Sequence, residues 1–101
     1  MTETQILVEP LVDNTTLAIE LNGEKILLCN AAGEHYAVEN RCSHQNTPLE
    51  NGRIRQGYIC CPLHGVRFDL KTGEPKGELT RISLKTFPVN EENGKIRITL
   101  A

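Results

Sequence analysis

Apolar and polar positions alternate with a period of two through much of the chain, the signature of half-buried β-strands. Thr16–Leu21 alternates with Leu17, Ile19 and Leu21 on one face, and Lys95–Leu100 does the same with three aliphatics facing in. After Leu21 comes Asn22-Gly23, then an apolar run over Lys25–Cys29, and Asn-Gly between such runs predicts a tight hairpin. Ala32-Gly33 makes a second turn before His35–Val38. A third, Glu91-Glu92-Asn93-Gly94, separates Leu84–Val89 from the last strand. No window carries a helical period. Residues 41–81 interrupt the pattern with five glycines and three prolines, which reads as an irregular insertion between β-hairpins. The expected fold class is all-β.

Composition narrows the function. At 101 residues the chain has room for one domain, spanning 1–101, and with two Phe, two Tyr and no Trp its core is thin. A net charge of −2 argues against nucleic acid or an anionic membrane as the main partner. The N-terminus has neither a basic start nor a long apolar run, and the longest apolar stretch, Ile26–Cys29, is too short to span a bilayer. A cytoplasmic location is expected, where structural disulfides are rare. Metal binding is then the leading use for four Cys and three His.

The chemistry concentrates in two short boxes, Cys42-Ser43-His44 and Cys61-Pro62-Leu63-His64. Zinc half-sites tend to pair like residues, whereas each box here offers one thiolate and one imidazole. This C-x-H…C-x-x-H pattern, with Cys-Pro-Leu-His-Gly as the second box, resembles a Rieske [2Fe–2S] protein. Pro48-Leu49-Glu50-Asn51-Gly52 and Gly65-Val66-Arg67-Phe68-Asp69, with Thr72-Gly73, extend the likeness, which runs over about His35 to Thr99.

The resemblance implies a Rieske fold, an antiparallel β base with a cluster-binding subdomain over approximately 41–81. It implies one [2Fe–2S] cluster, with Cys42 and Cys61 on one iron and His44 and His64 on the other. Two ferric ions, two sulfides and two thiolates sum to zero charge, so an electron is accepted more readily than by a four-thiolate cluster. Rieske potentials accordingly span about −150 to +300 mV, against about −400 mV for plant-type ferredoxins. High-potential members add two clamping cysteines, where this chain has Thr47 and Leu63, and hydroxyl donors, where it has Val66 and Phe68. Fewer hydrogen bonds to sulfur leave the potential low.

The chain is most similar to single-domain Rieske-type ferredoxins of aromatic hydrocarbon catabolism. These carry electrons from a flavin-containing NAD(P)H reductase to a terminal ring-hydroxylating oxygenase. A monomeric carrier rather than an enzyme is expected, because only His35 is left over to build a mononuclear iron site. The small Rieske-like subunit of NAD(P)H nitrite reductases is the alternative, and a zinc-stabilised interaction module a remote one.

Of the remaining residues, Cys29 is expected to be a buried small hydrophobe, Cys60 a strand residue and His35 a surface strand residue. Cys60 in place of Cys61 would give C-x-x-x-H, and only Cys61 meets the family spacing. Pro75 resembles a loop proline covering the cluster. Asp69 is expected to accept hydrogen bonds from loop backbone, and Arg67, Lys71, Lys76 and Arg81 are candidates for docking an acidic partner. A redox titration of the purified protein should give a midpoint near about −150 mV; a strongly positive value would contradict the reading of Thr47, Leu63, Val66 and Phe68.

Overall fold

The computed structural model describes residues 4–42, 47–62, 65–77 and 80–100. They form eleven strands and, among the described residues, no helix. The strands are β1 (Thr4–Val8), β2 (Thr16–Leu21), β3 (Glu24–Ala31), β4 (Glu34–Glu39), β5 (Arg53–Arg55), β6 (Tyr58–Cys60), β7 (Arg67–Asp69), β8 (Pro75–Lys76), β9 (Thr86–Phe87), β10 (Val89–Glu92) and β11 (Lys95–Leu100). They assemble into three antiparallel sheets, ordered β1-β11-β10, β2-β3-β4-β9 and β5-β6-β7-β8.

Four hairpins turn on two residues with positive φ, the geometry that matches the right-handed twist of the flanking strands. They are Asn22-Gly23, Ala32-Gly33, Gln56-Gly57 and Asn93-Gly94. In the last, Glu91 and Glu92 belong to β10 rather than to the turn. The apolar run in β3 has a simple cause, since this strand is buried on both faces. Leu27, Cys29 and Ala31 enter one apolar cluster with Ile54, Ile59 and Phe68 of the β5–β8 sheet. Ile26 and Leu28 enter another with Phe87, Ile96, Ile98 and Leu100. The middle sheet is therefore packed on both sides, like a slice between two layers.

Three expectations need correction. The insertion is not irregular throughout: β5–β8 make a regular four-stranded sheet, hidden from sequence by strands of only two or three residues. Leu17 is 40% exposed, because β2 is an edge strand, and only Ile19 and Leu21 of its expected face pack inward. Pro75 is a β8 residue opposite Phe68 rather than part of a covering loop, and an edge strand is where a residue without an N–H is tolerated. The N-terminal segment, unassigned by pattern, pairs as β1 along β11.

Since Leu27 and Leu28 serve different cores, Leu27→Ala and Leu28→Ala should each cost about 2–5 kcal/mol in chemical denaturation. Leu27→Ala should also loosen the β5–β8 side, read as faster amide exchange in β6, which Leu28→Ala should leave protected.

Candidate metal centre

The two boxes begin where strands end. Cys42 follows β4 by three residues and Cys61 directly follows β6. Each opens a loop closed by the same device. The Cys42 N–H donates to the Thr47 carbonyl at 2.7 Å, and the Cys61 N–H donates to the Val66 carbonyl at 2.7 Å. Both loops thus span five residues from cysteine to acceptor, and the Gly65 N–H adds a bond to the Cys61 carbonyl at 3.0 Å. His44 and His64 lie outside the described residues, as do Ser43, Gln45, Asn46 and Leu63.

Cys42 and Cys61 are 0% and 2% exposed, and both belong to the apolar cluster that β3 supports. Val66 and Phe68 are buried in the same cluster, so the side chains expected to withhold hydrogen bonds pack with the two cysteines. A thiolate sealed into such surroundings is costly unless a cation lies against it. Two thiols so placed, at the roots of two matching loops that each also carry a histidine, suit a metal centre with mixed sulfur and nitrogen donors.

Asn40, which the sequence reading passed over, anchors the first loop. Its Oδ1 accepts the Leu49 N–H at 2.7 Å and its Nδ2 reaches Glu50 Oε1 at 3.4 Å. Its backbone N–H donates to the Lys25 carbonyl at 2.9 Å. The available signal was an amide side chain directly after β4 and two positions before the cysteine. Gly52 lets the chain after the first box pass close to the strand that leads into the second, because a Cβ there would lie 2.0 Å from the Cys60 carbonyl oxygen.

The remaining expectations fall away from the loops. No disulfide joins Cys60 to Cys61. Cys29 is fully buried, and burial pushes its thiol up to about 12. Cys60 sits half-buried in β6, as expected. His35 is half-buried in β4, where its Nε2 accepts the Leu11 N–H at 2.9 Å. Asp69 accepts the Lys71 N–H at 2.8 Å, the structural role expected of it.

The Rieske [2Fe-2S] domain profile matches residues 5–88, most of the chain and both boxes. The protein belongs to the Rieske [2Fe–2S] family. Its cofactor is accordingly a Rieske-type [2Fe–2S] cluster. This Rieske protein is 30% identical to the ferredoxin component of the naphthalene 1,2-dioxygenase system of Pseudomonas putida, over 95% of this chain and 92% of that one. Its fold matches the ferredoxin of carbazole 1,9a-dioxygenase from Nocardioides aromaticivorans with a TM-score of 0.86 and 26% identity, covering 94% and 96% of the two chains. A protein described as the small subunit of an NADH-dependent nitrite reductase from Mycobacterium tuberculosis matches with the same TM-score but 18% identity, covering 100% and 98%, a likeness of fold. No helix among the described residues is long and apolar enough to cross a membrane.

Asn40→Ala should leave the buried Leu49 N–H without its acceptor, at a cost of about 1–3 kcal/mol. The Leu49 amide should then exchange markedly faster in the variant while amides of β11 keep their protection; unchanged exchange at Leu49 would remove Asn40 from the account of the loop.

Proposed function

We propose that this Rieske protein is a cytoplasmic one-electron carrier, taking electrons from an NAD(P)H-dependent flavin reductase and passing them to a terminal ring-hydroxylating oxygenase. The observation that carries the reading is its kinship, over nearly the whole length of both chains, with a dioxygenase ferredoxin component. In this reading residues 1–101 are one domain, with a cluster-binding subdomain over approximately 41–81. Cys42, His44, Cys61 and His64 hold the cluster, which supplies a one-electron couple when bound.

The chain's own part is to fix the donors and keep water from the sulfurs. Cys42 and Cys61 are held by the backbone bonds to Thr47 and Val66, and the apolar cluster covers them. Rigid donors lower the reorganisation that accompanies a change of charge. Val66 and Phe68 offer no side-chain donors, which supports a potential at the low end of the Rieske range.

Substrate chemistry belongs to the partner. Beyond the boxes the chain has only His35, which lies in β4 and accepts a backbone hydrogen bond from Leu11. A mononuclear iron site of two histidines and a carboxylate therefore has no ligand set here. A carrier meets two partners in turn, so each encounter should be small and short-lived.

Reconstitution tests the reading. Purified protein should contain iron and sulfide in equal amounts. Added to a flavin reductase, NADH and a naphthalene-type dioxygenase, it should support hydroxylation that stops when it is omitted. Stable co-purification with a sirohaem protein, and no support of hydroxylation, would replace it with the nitrite reductase subunit.

A further inference from the structure

Charge is unevenly distributed along this chain. Residues 41–81 hold seven Lys and Arg against four Asp and Glu, a net of +3, while the remainder holds four against nine, a net of −5. The modest overall charge of −2 thus hides a polarised molecule.

The β5–β8 sheet gives the positive end a surface. Its inner face is Ile54, Ile59, Phe68 and Pro75, paired across the strands. On its outer face Arg53 pairs with Cys60, Cys60 with Arg67 and Arg67 with Lys76, so one row crosses all four strands. Arg55, opposite Tyr58, starts a second row that ends at Asp69 in β7, the one carboxylate in these two rows. Arg53, Arg55, Arg67 and Lys76 are exposed, and none pairs with a carboxylate among the described residues. The four ion pairs found among the described residues use Glu9, Glu24, Glu39 and Glu92, away from this sheet. Lys76 lies over the Tyr58 ring, 5.3 Å from its centre.

Such a face is costly. Like charges at directly paired positions, as at Arg67 and Lys76, destabilise a sheet. The small Cys60 between two arginines leaves the row open. A groove of about 270 Å³ then runs from Arg53, Arg55 and Cys60 to Cys61 and Pro62, the root of the second box. The basic face is continuous with the edge of the metal centre.

We propose that the outer face of β5–β8, with Arg53, Arg55, Arg67 and Lys76, is the docking surface for a carboxylate-rich patch on an electron-transfer partner. The proposal rests on the carrier reading above. Four strands of two or three residues make a face of roughly 10 by 15 Å, suited to a small encounter rather than to an extended phosphate track. The negative remainder of the chain turns this face toward an acidic surface and repels it elsewhere, which steers association.

The probe is a fluorescein-labelled 20-residue poly-glutamate, followed by anisotropy against the oxidised holoprotein at low salt. Native protein should bind it with an affinity that falls as salt is added. Arg53→Glu/Arg67→Glu should weaken binding by about tenfold or more, while Lys25→Glu/Lys85→Glu, which reverses as much charge elsewhere, should change it less than threefold. The cluster's visible absorption should be the same in all three; if the arginine pair loses it, Arg55→Glu/Lys76→Glu takes its place. Equal weakening by both pairs overturns the docking surface. So does tighter binding of a 20-residue oligothymidylate, which would mark a nucleic-acid face. Self-association in sedimentation, abolished by Arg53→Glu/Arg67→Glu, would give the face to a second copy and overturns it too. Peptide binding as expected, in a protein that delivers no electrons in reconstitution, defeats the carrier reading and leaves a basic docking face.

Discussion

The structure depends on a strand that is dry on both faces. β3 gives Leu27, Cys29 and Ala31 to one apolar cluster and Ile26 and Leu28 to the other. A strand so placed cannot slip by one residue without exchanging its two sets of side chains, and the different volumes on its two sides forbid that. Through β3 the β1-β11-β10 sheet and the β5–β8 sheet each have a surface to pack against. A chain with so few aromatics gains two cores by using a strand twice.

The metal centre inherits its precision from that arrangement. Cys42 and Cys61 lie in the cluster on one side of β3, and each is tied by its own N–H to a carbonyl five residues on. Asn40 ties the first loop to β3 through the Lys25 carbonyl, and Gly52 lets the backbone after that loop approach the Cys60 carbonyl. The two cysteines are therefore placed by backbone bonds at the ends of paired strands, which ties the root of each loop to the sheets. The cluster then adds its own binding energy to the stability of those loops.

Much of this was legible in the residues. Period-two alternation and Asn-Gly turns placed β2, β3, β4 and β11, and the mixed Cys/His composition of the two boxes set them apart from zinc half-sites. What stayed hidden has physical reasons. β5–β8 are too short for alternation to register, so their order emerges from cross-strand pairing of Ile54, Ile59 and Phe68. β1 is fixed by β11, a partner some ninety residues away. Leu17 alternates correctly but lies on an edge strand, where it stays 40% exposed. Asn40 looks ordinary in sequence, and its importance comes from a Leu49 N–H that folding buries. The row of basic side chains is likewise dispersed from 53 to 76 and joins only through the register of four strands.

The function proposed for this protein requires a mixed donor set drawn from the two loops. Pulsed electron–nuclear double resonance on the reduced protein, labelled with ¹⁵N-histidine, measures it directly. Two strongly coupled imidazole nitrogens are predicted, both lost when His44 and His64 are replaced and both retained in His35→Gln. A spectrum with no coupled histidine nitrogen, or one that changes with His35, would contradict the assignment of Cys42, His44, Cys61 and His64.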